Sequence, residues 1–260
     1  NNAVELNGKS YQWPNRPIVV VCIDGGDPEY MEYGFSAGII PNIQRFCSDG
    51  FYAIATGSMP SFTCPNNMSI VTGTEPATHG ISGNFFLNRE TNQPIVMTGP
   101  ELLRVRSIMS EFSCHGAKVV SITSKDKLRK QLQKDMDFTG GSVSFSAQFA
   151  DQCSIEENAI ENVLDYVGQP HPDMYSAELS LFVLDAGAGD GTCMAESAVK
   201  RGFNSVTFDV EAGQSYFLVL DGYDGDVGAF VQRSNRYLYI PKQLMIKSFD
   251  LGRGRGYTNC

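Results

Sequence analysis

The chain of 260 residues carries 20 lysines and arginines against 29 aspartates and glutamates, a formal net charge of −9 at pH 7. So acidic a chain is not expected to bind nucleic acid, which usually requires a basic surface. Hydrophobic residues make up 42% and charged residues 19%, a composition typical of a globular protein with a sizeable core. The chain has three histidines, which excludes any site that needs many imidazole ligands.

The cysteines indicate the compartment. There are seven, an odd number, and no two have C-x-x-C spacing. This argues against a zinc finger, a thioredoxin-type site and a disulfide framework. We expect free thiols in a reducing compartment, which predicts a cytoplasmic protein. No apolar run approaches the roughly 20 residues of a membrane span and no secretory signal is visible, so we expect no membrane partner.

The first third of the chain alternates between strand and helix signals. Residues 17–23 are rich in β-branched side chains, typical of a strand buried on both faces of a parallel sheet. The segment 41–50 begins with proline and ends with glycine, which predicts a helix. Residues 51–56 predict a second strand, and 63–72 predict a helix that ends before Gly73.

The alternation continues beyond residue 100. An amphipathic helix is predicted over 102–114 and a buried strand over 117–123. Further helices are predicted over 126–133, 155–167 and 177–186. This order predicts an α/β fold, with a mostly parallel sheet flanked by helices. Functional residues should then lie at the carboxyl ends of the strands.

The pattern changes at a glycine-rich segment, 186–191. We therefore predict an incomplete α/β domain over residues 1–187 and a separate β-rich segment over 188–260. In that second part, residues 204–210 alternate at period two and 214–220 follow a turn, which predicts a small antiparallel unit.

Asp24 and Thr63 are the first candidates for chemistry. Asp24 follows a predicted buried strand, where a carboxylate is a rigidly held metal ligand. Thr63 begins a predicted helix, where backbone N–H groups and the helix dipole favour a bound phosphoryl group. The alternative is structural, because aspartate often forms a turn after a strand and threonine often caps a helix.

Three segments carry a resemblance to a known family: Val21 to Tyr30, Met59 to Asn67 and Thr123 to Arg129. Their order and spacing resemble the alkaline phosphatase superfamily, in its nucleotide pyrophosphatase/phosphodiesterase branch. The sharper resemblance is to the phosphonoacetate hydrolases, and the Lys-Asp-Lys-Leu-Arg element is its most specific part. The resemblance covers about residues 15–187.

This resemblance implies a zinc-dependent hydrolase of phosphonate catabolism that cleaves the carbon–phosphorus bond of phosphonoacetate, giving acetate and phosphate. Asp24 would bind one zinc ion, and Thr63 would be the nucleophile on the same ion. Asn84 would hold a phosphonate oxygen. Lys125 and Lys127 would hold the small anionic substrate, including its carboxylate.

The chain also departs from the family pattern. The remaining ligands of the two-zinc site come from an Asp-x-x-x-His element, an Asp-His pair and a further histidine in that family. This chain has no histidine after His171 and no Asp-His pair. It keeps Asp24 and Thr63 of one zinc site and no ligand of the other, so we expect zinc to bind weakly or not at all. His79 is interpreted as part of a structural loop.

Alternatives remain at several points. Lys125 and Lys127 would diverge if both lay on a solvated helix. Residues 205–223 are similar to strand pairs of secreted pre-peptidase C-terminal-type domains, which would suggest an extracellular module. Asp221, Asp224 and Asp226 suggest either a calcium loop or plain turns. The functional alternatives are a phosphodiesterase or nucleotide pyrophosphatase of the same superfamily and a non-catalytic anion-binding module.

Overall fold

The computed structural model describes residues 3–14, 18–189 and 218–221. The strands within these residues are β1 (Ala3–Leu6), β2 (Lys9–Gln12), β3 (Val20–Cys22), β4 (Phe85–Asn88), β5 (Gln93–Val96), β6 (Val120–Thr123), β7 (Val143–Ser146) and β8 (Leu218–Asp221). The helices are α1 (Pro28–Ala37), α2 (Pro41–Asp49), α3 (Thr63–Thr72), α4 (Pro76–His79), α5 (Ile108–Cys114), α6 (Asp126–Leu132), α7 (Ile155–Asn158), α8 (Val163–Val167) and α9 (Ala177–Gly189), with a 3-10 segment over Ala147–Gln152.

The central sheet contains four of these strands, in the spatial order β3, β8, β6, β7. All its pairs are parallel. The other four strands form two antiparallel hairpins, β1–β2 and β4–β5. The predicted α/β fold with a mostly parallel sheet is therefore confirmed.

Helices cover both faces of the sheet, as a parallel sheet requires. One core lies among α3, α5 and α6, where the N-terminal hairpin also packs; its fully buried side chains include Met68, Met109, Phe112, Leu128 and Leu132. The second core lies between β6, β7 and α9, and includes Val120, Ile122, Phe145, Leu179 and Phe182. No helix in the described part of the chain is long and apolar enough to cross a bilayer.

Several predicted elements agree closely with the observed ones. The helix predicted over 63–72 is α3, and the one predicted over 41–50 is α2 without its final glycine. The strand predicted over 117–123 is β6, which starts three residues later. The helix predicted over 102–114 begins only at Ile108, because Ser107 caps its first turn and accepts a 3.1 Å hydrogen bond from the Ser110 N–H.

Two local predictions were wrong. Residues 51–56 form no strand; Phe51 and Ile54 are 71% and 72% exposed, and no described strand lies beside them to accept a ladder of hydrogen bonds. The helix predicted over 155–167 is broken into α7 and α8. Ala159 and Asn162 adopt left-handed backbone conformations between them, with φ of 57° and 56°.

The strand β8 corrects the prediction for the C-terminal segment. Val219 pairs with Val20 and Ser121, in parallel with both neighbours, so these residues extend the main sheet and are not antiparallel. The proposed domain division stays a prediction, although α9 continues through it to Gly189. The predicted strand over 204–210, with Asp224 and Asp226, lies outside the described residues.

A tight turn after α4 leads the chain towards Asn84. Gly80 ends this helix with φ of 90°, and its N–H donates a 2.8 Å hydrogen bond to the Pro76 carbonyl. A Cβ atom placed on Gly80 would lie 2.2 Å from the backbone oxygen of Leu102. Only glycine meets both the conformational and the steric requirement at this position.

Gly80→Ala is expected to lower the free energy of unfolding by about 3 kcal/mol, because it combines a left-handed alanine with a clash against fixed backbone. Gly38→Ala is the matched control: Gly38 also has positive φ, 67°, but a Cβ atom placed there would meet nothing within 4 Å. That variant should lose only about 1 kcal/mol. Urea unfolding measures both, and equal losses would contradict the role given to the Leu102 contact.

Candidate active site

The candidate site begins where β3 ends. Asp24 lies two residues beyond Cys22, and Thr63 is the first residue of α3. Thr63 Oγ1 donates a 2.6 Å hydrogen bond to Asp24 Oδ2, and the pair is partly buried. Thr63 is therefore not the N-cap, since an N-cap hydroxyl accepts from the helix backbone. Its proton is directed at a carboxylate, an arrangement that orients an oxygen nucleophile.

The start of α3 adds a favourable field for an anion. Phe62 precedes the helix in an extended conformation, with φ of −91° and ψ of 155°, and its side chain does not cap the helix. The N-terminus of a helix carries a partial positive charge and directs N–H groups outward. The Thr63 hydroxyl thus lies where negatively charged oxygen atoms are stabilised.

Two adjacent asparagines in the first turns of α3 hold this arrangement in place. The Asn67 amide donates to the Thr63 carbonyl at 3.0 Å, and its oxygen accepts from the Cys22 thiol at 3.5 Å. Asn66 Oδ1 accepts a 2.8 Å hydrogen bond from the Ser58 N–H. The contact with Cys22 ties α3 to β3, and the contact with Ser58 ties the preceding loop to α3. Both asparagines belong to the segment that carries the family resemblance, but the sequence alone assigned them no role.

Asn84 lies directly before β4, after the turn at Gly80. Its backbone carbonyl accepts a 2.8 Å hydrogen bond from the Met97 N–H, which fixes it to the β4–β5 hairpin. Its side-chain oxygen is buried and has no hydrogen-bond partner within the described residues. Buried polar atoms are usually paired, so this amide is a group that a ligand, water or residue outside the described ranges can satisfy.

Lys125 and Lys127 flank the start of α6 at the carboxyl end of β6. Lys125 is the N-cap, in an extended conformation with φ of −114° and ψ of 138°, and Lys127 lies in the first turn. Both side chains are half-buried. Lys125 lies outside the helix, so the two lysines are not two residues of one solvated helix, the case in which their side chains would diverge. β6 is two strands from β3, about 10 Å away at the usual strand spacing.

The ring contacts of the three histidines involve neither Asp24 nor Thr63. His79 is fully buried; its Nδ1 accepts from the Ile81 N–H at 3.1 Å, so Nε2 carries the proton and donates to Ser69 Oγ at 3.0 Å. Burial lowers the pKa of His79 to about 4. The rings of His115 and His171 contact the backbone oxygens of Glu111 and Gln148. His79 is the last residue of α4 and not part of a loop, and both of its ring contacts are to neighbouring protein groups.

The donor set can be compared with what a zinc site needs. Asp24 and Thr63 provide one carboxylate and one hydroxyl oxygen, which fit as two ligands of one metal ion. Within the described ranges, no three or more His, Cys, Asp or Glu side chains lie together where they could hold a metal. The described residues therefore fit part of one metal position and do not complete a two-zinc centre.

Comparison with known proteins identifies the family. Residues 18–175 match the family model for type I phosphodiesterase/nucleotide pyrophosphatase. The chain belongs to this family. Among curated family members, an uncharacterized pyrophosphatase/phosphodiesterase of Schizosaccharomyces pombe is 33% identical over 84 residues, which are 32% of this chain and 17% of the yeast protein.

Solved structures of family relatives resemble the chain over a longer range. Phosphonoacetate hydrolase from Sinorhizobium meliloti, in complex with phosphonoformate, superposes with a TM-score of 0.71 at 36% identity. The same enzyme in complex with phosphonoacetate superposes with a TM-score of 0.71 at 35% identity. Each match covers 84% of this chain and 49% of the relative, so the chain spans about half the length of those proteins.

The buried imidazole predicts a specific sensitivity to acid. The pKa of His79 is about 4 in the folded protein and about 6.5 when unfolded, so the unfolded chain binds a proton first as pH falls. Stability should be fully present above pH 6.5 and decrease towards pH 4. The expected loss between pH 7 and pH 5 is about 2 kcal/mol.

Urea unfolding at both pH values tests this expectation in wild type, His79→Gln and His115→Gln. The loss of stability between pH 7 and pH 5 should be smaller in His79→Gln than in wild type by about 2 kcal/mol, because glutamine does not titrate. His115→Gln is the control for replacement of an exposed imidazole by glutamine, and the effect is assigned to His79 only where the two variants differ. Identical slopes in all three proteins would show that His79 does not titrate as described.

Proposed function

We propose that the chain is a hydrolase of small phosphonates, with phosphonoacetate as the substrate and Thr63 as the nucleophile. The observation that carries the proposal is the 2.6 Å hydrogen bond between Thr63 Oγ1 and Asp24 Oδ2 at the uncapped N-terminus of α3. A hydroxyl oriented by a carboxylate, beside a positive helix end, suits attack on an anionic phosphorus centre. The relatives crystallised with phosphonoformate and phosphonoacetate support this substrate class.

The proposed reaction proceeds in two steps. Thr63 Oγ forms a bond to phosphorus, its proton passes to the Asp24 carboxylate that it already contacts, and the carbon–phosphorus bond breaks. The electron pair of that bond stays on carbon, and the leaving group departs as the enolate of acetate. The enolate takes up a proton to give acetate, and water then hydrolyses the phosphothreonine to release phosphate.

The other predicted residues bind the substrate in this proposal. The side-chain N–H group of Asn84 donates to a phosphonate oxygen, and its buried side-chain oxygen, itself an acceptor, does not contact the phosphonate oxygens. Lys125 and Lys127 neutralise the carboxylate and the charge that grows on the departing enolate. A carbon leaving group is poor unless that charge is stabilised, which is why cations on the leaving-group side matter for this reaction.

The family resemblance implies zinc, and Asp24 and Thr63 are the residues that would hold it here. When bound, the ion would lower the pKa of the Thr63 hydroxyl and stabilise the phosphoryl oxygens. The further ligands would have to come from residues outside the described ranges or from the substrate itself. Zinc dependence is thus a part of the proposal that needs its own measurement.

A second candidate is a phosphodiesterase or nucleotide pyrophosphatase activity. The family match over residues 18–175 and the yeast relative favour it. The same Thr63–Asp24 pair would attack a phosphate ester, with an oxygen leaving group in place of carbon. Such a substrate has no carboxylate to be neutralised, so this alternative gives Lys125 and Lys127 no comparable task.

The test compares wild type, Thr63→Ser and Thr63→Ala with phosphonoacetate, with and without zinc, by following released phosphate and acetate. Wild type should release both in equal amounts. Thr63→Ala should lose activity by about 1000-fold or more because it lacks the nucleophile, whereas Thr63→Ser should keep a measurable rate. Circular dichroism checks that each variant is folded.

The same proteins are assayed with bis-nitrophenyl phosphate. Cleavage of this diester without cleavage of phosphonoacetate would support the second candidate. Binding of phosphonoacetate by calorimetry, with no release of phosphate from either compound, would support a non-catalytic anion-binding module. Full activity in Thr63→Ala would contradict the assignment of the nucleophile.

A further inference from the structure

A buried ion pair includes the residue between the two lysines in the sequence. Asp126 is 5% exposed and Arg129 is 3% exposed, and Arg129 Nε donates to Asp126 Oδ1 at 2.5 Å. Charged side chains are rarely buried to this degree unless they are paired. Asp126 separates Lys125 from Lys127 in the sequence, so any force on its backbone acts on both lysines.

Asp126 connects the start of α6 to the neighbouring strand. Its N–H donates to Gln148 Oε1 at 3.0 Å, and its carboxylate accepts from Ser146 Oγ at 3.2 Å. The backbone N–H of Gln148 in turn donates a 3.0 Å hydrogen bond to the Ser124 carbonyl. These hydrogen bonds fix the turn between β6 and α6 against the end of β7.

A further hydrogen bond holds the backbone of Lys125. Its carbonyl accepts from Thr123 Oγ1 at 2.9 Å. The turn from Thr123 to Lys127 is therefore held in place by hydrogen bonds on two sides. Thr123 provides the one on the side of β6, and Asp126 provides those on the side of β7. A lysine side chain is long and flexible, so the position of its backbone decides how much freedom its ammonium group must lose on binding.

The charges of the cluster balance one another. Asp126 Oδ2 lies 3.2 Å from Lys130 Nζ, and Arg129 Nη2 donates to Glu157 Oε1 at 2.6 Å. Two carboxylates thus face two cations. Burial alone would raise the pKa of Asp126, but the hydrogen bonds and charges of Arg129 and Lys130 outweigh it and hold that pKa below its usual value.

We propose that Asp126 and Arg129 are positioning residues that hold Lys125 and Lys127 in the geometry needed to bind the carboxylate-bearing phosphonate. The inference rests on the proposed function. The two carboxylates and two cations of the cluster cancel in charge, so its effect on binding acts through the lysines. Buried ion pairs add little net stability compared with apolar residues, while removal of one partner leaves an uncompensated charge.

Calorimetric titration with phosphonoacetate tests the proposal. Asp126→Asn keeps the side-chain shape but removes the carboxylate that pairs with Arg129 and Lys130, so the turn should shift and the Kd should rise by about tenfold or more. Lys127→Gln provides the reference for loss of one ammonium group. Leu132→Val, a buried change on the same helix, and Glu156→Gln, an exposed loss of one carboxylate, should change Kd by less than about twofold.

A double variant separates positioning from stability. Asp126→Asn combined with Arg129→Met removes both buried charges, which should restore much of the melting temperature that Asp126→Asn loses. The Kd of the double variant should nevertheless remain raised, because the ion pairs that Asp126 makes with Arg129 and Lys130 are still absent. It also keeps the test usable if Asp126→Asn alone does not fold.

The outcomes distinguish the two proposals. Absence of phosphonoacetate binding in folded wild type would contradict the proposed function. Binding in wild type with an unchanged Kd in both Asp126 variants would overturn the positioning role while leaving the proposed function intact. The inference would also be overturned if the rise in Kd were proportional to the loss of melting temperature in every variant, Leu132→Val included. The cluster would then have only a structural role.

Discussion

Asp24 and Thr63 are 39 residues apart in the chain, and the hydrogen bond between them brings the end of β3 and the start of α3 together. The parallel sheet makes this meeting possible, because the carboxyl ends of its strands share one edge. The same edge receives Lys125 from β6. The hydroxyl, the carboxylate and the lysines thus come from separate segments whose relative position is set by the backbone pairing of the sheet.

Around this contact, side chains that hydrogen-bond to the backbone and to one another fix the geometry. Asn66 and Asn67 accept hydrogen bonds from the loop before α3 and from the end of β3, respectively. The Asp126–Arg129 cluster does the same for the turn before α6, with its charges balanced internally. Catalytic groups gain from such pre-organisation because less ordering is needed when the substrate binds.

The sequence predicted some of the elements around the candidate site more accurately than others. The motif around Thr63 gave the bounds of α3 correctly, since proline in the first turn and Gly73 after the last are local signals. The strand predicted over 51–56 failed because its hydrophobic pattern does not reveal whether a neighbouring strand is present. The direction of β8 is a tertiary property of the same kind: pairing partners distant in sequence set it.

Some missed features had usable signals. Asn7-Gly8 between β1 and β2 is a strong hairpin signal, and Asp27-Pro28 predicts the capped start of α1. The break between α7 and α8 had no clear signal, because the left-handed residue Ala159 is a good helix former. The burial of Asp126 and Arg129 was not predictable either, since both are residues that usually remain exposed.

The central claim is that Thr63 carries the phosphoryl group during the reaction. It is tested most directly by quenching the protein in acid shortly after mixing with phosphonoacetate and mapping its peptides by mass spectrometry. The account predicts that the peptide containing Thr63 gains the mass of one phosphoryl group, that the gain requires substrate, and that fragmentation assigns it to Thr63. Release of phosphate with no phosphorylated Thr63 at any quench time, or with the group on another residue, would contradict it.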